Sequence, residues 1–267
     1  MNAPSVDGGL WLPTWTLWKR EMVRFLRQRS RVIGAFGTPV VFWVIVGAGI
    51  GRSLKLPGAS ETMNYMEYSF PGAIASILMF TAIFSTISII DDRKEGFMQG
   101  VLAAPVSRMS IALGKVLGAT TLAVGQALLF LLLGRFVGIH LHPLMGLASF
   151  GAMVLLAFSV TSLGFWIAWR MESTQAFHAV MNLFLMPMLV LSGAFFPPGG
   201  SWPPLRVLMQ ANPMTHGVTL LRATLYLGSG RTEPGWPTAL VVSLAFAAVM
   251  FWVLIRTVTR ESARAMQ

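Results

Sequence analysis

The chain has 267 residues, 55% of them hydrophobic and 11% charged, with twenty Lys and Arg against ten Asp and Glu. A soluble domain carries about 25% charge, so the composition excludes a disordered chain and a water-covered enzyme and indicates a polytopic membrane protein. No cysteine is present, which excludes disulfides, thiolate metal sites and a cysteine nucleophile.

The first element predicted is an amphipathic interfacial helix over 14–31. Trp15, Trp18, Met22 and Phe25 recur at three-to-four spacing, and Lys19, Arg20, Arg24 and Arg27 fill the other side. Such a helix lies in the headgroup layer, with its basic residues near anionic membrane lipid. Gaps between charges then mark six spans of about membrane length, at 32–51, 68–90, 116–138, 144–169, 176–196 and 236–257. Fourteen Lys and Arg fall on the side of the termini and five on the other side, which predicts that both termini are cytoplasmic. The fold class expected is an all-α membrane protein of six transmembrane helices.

Two segments interrupt this bundle. The cytoplasmic stretch 91–115 carries mixed charge, then an apolar patch of Phe97, Met98, Val101 and Leu102, then Pro105-Val106-Ser107-Arg108. That patch is expected to bury itself against lipid or a partner protein. The outer stretch 197–225 is rich in proline and broken by Asn212-Pro213. It is too short between charges to span, and it reads as a re-entrant or interfacial helix pair.

Catalytic hardware is missing. The chain has no phosphate-binding loop, no H-E-x-x-H and no nucleophile elbow. His140 and His142 lie together in a short outer loop, but two imidazoles without a carboxylate do not make a metal site. The spans hold essentially no ionisable residue, so proton- or sodium-driven transport lacks its usual groups. Their polarity is mild: Thr81, Ser85 and Ser88 share a face, with Gln126, Ser159, Ser162 and Asn182 in later spans. These positions suit helix packing, with a cargo path along Ser85, Ser88, Gln126 and Asn182 as the functional alternative. Gly47/Gly51 and Gly114/Gly118 would let helices approach closely.

The order of these motifs resembles the permease subunits of type-2 ATP-binding-cassette (ABC) exporters. The likeness rests on Asp92-Arg93-Lys94-Glu95-Gly96, Leu102-Ala103-Ala104-Pro105-Val106-Ser107-Arg108 and Gly114-Lys115. It continues in Leu191-Ser192-Gly193-Ala194-Phe195-Phe196-Pro197, Asn212-Pro213-Met214-Thr215 and Arg222. The resemblance implies a subunit that is not itself an enzyme and binds no cofactor, ATP and Mg being held by a separate ABC ATPase. It further implies a second permease subunit (a homodimer), a bacterial inner membrane, an amphiphilic cargo and no nucleic-acid partner. By the same resemblance Asp92, Arg93, Glu95, Leu102, Pro105 and Arg108 would couple to the ATPase. Gly193, Phe195, Phe196, Asn212 and Pro213 would form the outer gate. Gln99-Gly100 stands where the family often has an acidic residue, and Gly100 weakens the coupling helix by about 1 kcal/mol relative to Ala. A non-transporting membrane scaffold is the competing reading.

Overall fold

The computed structural model describes residues 10–50, 64–139, 143–227 and 233–265. All regular structure among them is helical. The chain opens with α1 (Trp11–Arg27), which carries three faces rather than two. Thr14, Leu17, Glu21 and Phe25 turn inward; Trp11, Trp15 and Leu26 stay exposed; Lys19 and Arg27 point to a third side. The single residue Gln28, at φ −91° and ψ 74°, makes an elbow into α2 (Arg29–Ile50).

After Asn64, whose side chain caps it, α3 runs from Tyr65 to Thr86 and continues past Ile87 into α4 (Ser88–Lys94). Together they form the central helix of the molecule, sheathed by α2, α6, α7 and α10. Its residues are mostly Ala, Ser, Ile and Phe, small and large in alternation, which lets four neighbours close on it. Phe70 stacks on Phe130 at 4.9 Å, and Trp43 meets both rings edge-on at 5.6 and 5.3 Å.

Gly96, at φ +75°, reverses the chain into the short α5 (Phe97–Ala103). Ser107 caps α6 (Arg108–Leu131), so the predicted coupling region 91–115 is two short helices plus the first turns of a long one. A 3-10 turn over Leu132–Val137 follows, then α7 (Pro143–Ala168) and α8 (Thr174–Val190). The stretch expected to form an outer pair holds α9 (Pro203–Ala211) and α10 (Pro213–Leu225), and α11 (Trp236–Ala265) is the last helix described.

Five helical stretches are long and apolar enough to cross a membrane: Arg29–Gly49, Tyr65–Lys94, Arg108–Phe136, Pro143–Ala168 and Trp236–Arg260. The chain is an all-α, multi-pass membrane protein. The span expected over 176–196 is represented by α8, an apolar helix that stops at Val190 and is shorter than the other five. Its helix ends early because Gly193 takes a left-handed φ of +76°, and the backbone turns there instead of continuing to Pro197.

Candidate functional site

The end of the bundle that carries α1 and α5 is built around charge rather than grease. The inward face of α1 would be an ordinary apolar stripe, but Glu21 sits in it between Leu17 and Phe25. Two glycines of α6 let α1 lie close enough for that acid to reach the core. A Cβ at Gly114 would meet Leu17 Cβ at 2.7 Å and the Thr14 carbonyl at 2.9 Å. One at Gly118 would meet Glu21 Cβ at 2.8 Å. The Gly114/Gly118 pair predicted from sequence therefore serves the packing of α1.

Lys115, one residue after Gly114, is 2% exposed, and Asp92 on α4 is fully buried. The Lys115 ammonium donates to Glu21 Oε1 at 2.6 Å, to Asp92 Oδ2 at 2.6 Å and to Ser88 Oγ at 3.4 Å. Arg20 holds Asp92 through both carboxylate oxygens, at 2.6 and 3.0 Å, and Arg24 donates to the same group. Arg24 also reaches Asp91 at 3.4 Å and Glu95 at 3.3 Å, and Arg31 reaches Asp91 at 3.1 Å. Four cations and four anions from α1, α2, the α4 end and α6 thus close one neutral cluster. Burial disfavours the Arg20 cation, but the Asp92 carboxylate outweighs it and holds the guanidinium above its ordinary range.

The segment hung from this cluster is tied down by three arginines. Arg93 donates to the carbonyls of Ala168 and Trp169, satisfying the C-terminus of α7. Arg108 donates twice to the Leu102 carbonyl at 3.1 Å and so caps α5. Arg20 lies 3.6 Å over the Phe97 ring. The expectation that the Phe97, Met98, Val101, Leu102 face needs lipid or a partner is corrected here. Met98 is buried and the other three pack on the chain's own core. The outward face of α5 is instead made of Gln99, Gly100 and Ala103, followed by exposed Pro105.

The site residues expected from the sequence therefore divide. Glu95, Pro105 and the flank of α5 are accessible, Leu102 turns inward, and Asp92 is consumed by its cations. Within the bundle, Gln126 accepts a hydrogen bond from Thr81 at 2.7 Å, Ser88 serves Lys115, Ser85 is buried, and Asn182 stands on the exposed face of α8. Four positions named for one path thus lie in three different environments. Lys115 and Asp92 lie just outside the spans predicted at 116–138 and 68–90, but within the apolar helical stretches Arg108–Phe136 and Tyr65–Lys94, at the ends nearest α1.

At the opposite end, residues 191–196 form a knot held by side chains. Tyr68 and Arg222 both donate to the Gly193 carbonyl at 3.0 Å, and Arg222 lies 4.3 Å over the Tyr68 ring. Tyr65 donates to the Phe195 carbonyl at 3.1 Å, and Phe195 meets Phe42 of α2 edge-on. Asn212 caps α10 and also donates to the Met188 carbonyl at 2.6 Å; Thr215 takes the Leu191 carbonyl at 3.2 Å. Pro213 begins α10, and Phe196 is half-buried in the knot. Glu21, Tyr65 and Tyr68 were missed from the sequence, while Arg20 and Arg24 were read as lipid-facing cations and Lys115 as part of a family motif, without their pairing to Glu21 and Asp92. An acid inside the apolar stripe of α1 was the available signal for the cluster. Among the described residues no metal-binding group of three or more His, Asp or Glu occurs. His140 and His142 lie outside the described residues.

Residues 13–226 match the ABC-2 type transporter family. The chain belongs to that family. It is 28% identical over 216 residues to the transport permease ycf38 of Cyanophora paradoxa, covering 78% of this chain and 72% of the relative. It is 26% identical over 229 residues to nodulation protein J of Rhizobium leguminosarum bv. viciae, covering 82% and 83%. To the daunorubicin resistance ABC transporter permease DrrB1 of Streptomyces coeruleorubidus it is 22% identical over 256 residues, covering 92% and 86%. The ABC-2 permease is therefore a membrane transport subunit, and the family works with an ABC ATPase. The match stops at Tyr226, so both the charge cluster and the outer knot lie within it while α11 lies beyond.

Proposed function

We propose that this permease moves an amphiphilic cargo out of the cytoplasm, driven by ATP hydrolysis on separate ATPase subunits that dock against α5. One observation carries the reading. The outward face of α5 is small and open, while Arg108, Arg20 and the buried cluster fix its inner face to α1, α4 and α6. A push on α5 is then delivered at once to the central helix and to the interfacial helix, because neither can shift without unpairing buried charge. Asp92 then holds the permease's own cluster together, and Glu95, Gln99, Ala103 and Pro105 form the ATPase-facing surface.

At the other end the 191–196 knot with α9 and α10 is the outer gate. Its backbone carbonyls are closed by side chains of α3 and α10, so opening means exchanging Gly193 and Leu191 contacts rather than unfolding a helix. Cargo passes between this chain and a second copy, along exposed apolar faces such as Ile33, Val41 and Ile45 of α2 and Leu183 and Phe184 of α8. Asn182 lies on that α8 face; Ser85, Ser88 and Gln126 lie inside the bundle and serve packing and the cluster. Both termini are cytoplasmic in a bacterial inner membrane, and ATP and Mg belong to the ATPase.

Purification from native membranes in mild detergent tests this. A stoichiometric protein bearing a phosphate loop is the expected companion. Recovery of the chain without one, under conditions that preserve ABC complexes, would favour the scaffold reading.

A further inference from the structure

An open groove of about 580 Å³ runs between the third face of α1 and the turn joining α4 to α5. Lys19, Arg20, Arg24 and Arg27 line it, with Glu95 across. Arg20 and Arg24 are already matched by acids of the buried cluster. Lys19 and Arg27 are exposed, and among the described residues no ion pair is formed by either. The groove therefore carries two more cations than the protein balances, beside a carboxylate that is itself largely solvent-facing. On the same helix, one face round, Trp11, Trp15 and Leu26 are exposed, and Trp15 stacks on Trp18 at 4.5 Å. Exposed tryptophans beside basic residues belong at the headgroup level of a bilayer.

We propose that this groove holds the phosphate headgroup of one anionic phospholipid, whose acyl chains lie along the Trp15 and Leu26 face. The headgroup takes up the excess charge of Lys19 and Arg27 and stands as an outer partner to Arg24 opposite Glu95. Because Arg24 also holds the buried Asp92, the lipid and the coupling segment share one guanidinium. The lipid becomes a component of the cytoplasmic cluster, distinct from cargo and independent of the transport reading.

The test is a phosphatidylglycerol titration of the full-length chain in neutral detergent, read by native mass spectrometry. The variant K19Q/R27Q removes surface cations that hold no partner, so folding is retained. K94Q, an exposed cation outside the groove, is the control. The wild type is expected to keep one phosphatidylglycerol per chain, K94Q the same, and K19Q/R27Q to bind it roughly thirtyfold more weakly. Excess orthophosphate is expected to leave the wild-type adduct in place. Unchanged affinity in K19Q/R27Q would overturn the proposal, as would equal weakening in K94Q, which would mean diffuse attraction. Displacement by orthophosphate would make it a soluble-phosphate site instead. Loss of ATPase association in K19Q/R27Q with lipid affinity unchanged would mark the groove as an ATPase contact and equally overturn the lipid reading.

Discussion

Lys115 shows how much depends on single charges here. Its ammonium sits between Glu21 and Asp92, both buried. Removing one member of such a set leaves an uncompensated charge, at a cost of about 3–5 kcal/mol. Lys115→Met is therefore expected to lower the unfolding midpoint in detergent well below wild type. Arg31→Gln, at the half-exposed Asp91, should cost less than about 1 kcal/mol. Equal effects of the two would mean that burial does not govern the cluster. The opposite end of the bundle offers a pH test. Burial pushes the Glu233 carboxyl above the usual range, and Arg222 pulls it back only in part. A raised folded value means that the native state holds the proton more tightly than the unfolded chain. The stabilisation is complete below the ordinary carboxylate range and fades as pH rises through the folded value. Glu233→Gln mimics the protonated form, so its advantage in melting temperature over wild type should be small at acid pH and grow towards neutrality. A constant difference would contradict the assignment.

Among elements, α1 departs furthest from its sequence reading. Of the two faces read from the spacing of aromatic and basic residues, Phe25 turns into the core and Arg20 and Arg24 pair with acids of the cluster, so only part of each remains exposed. The inward face, packed on α6, depends on Gly114 and Gly118 lying opposite it, and no pattern within α1 says which distant helix is its neighbour. For the same reason the apolar side of α5 was readable as a face in need of cover, while its cover was not: the partner is the chain's own core. The end of α8 was placed at the prolines, but Gly193 terminates the helix first because its carbonyl is worth two side-chain donors in place. Two glycine substitutions separate these roles. Gly118→Leu places atoms where Glu21 Cβ already lies and should loosen α1, seen as faster proteolysis near the Gln28 elbow. Gly100 has nothing within 4 Å of a Cβ and helical backbone, so Gly100→Ala should stabilise the chain by about 0.4–1 kcal/mol. Cleavage at wild-type rate in Gly118→Leu would remove α1 from the cluster.

In the whole molecule, charge gaps located the apolar stretches because the bilayer imposes a length, and that constraint acts through composition alone. The buried ions escaped because they sit at the ends of those stretches, where a charge is read as a boundary. The excess of Lys and Arg at the α1, α5 end predicts that this end is cytoplasmic, which can be tested in a chain without native cysteine. A cysteine at Ser201 should be labelled by an impermeant reagent in sealed cells and one at Ser107 only after permeabilisation; the reverse would invert the molecule. The coupling account itself rests on the outward side of α5 meeting the ATPase. The direct measurement is a crosslink from Ala103→Cys carrying a benzophenone maleimide, in native membranes, with Leu208→Cys on the exposed face of α9 as the opposite-end control. The account predicts that Ala103 captures a phosphate-loop ATPase and that position 208 does not. Capture from 208, or none from 103 while the labelled protein stays folded, would contradict it.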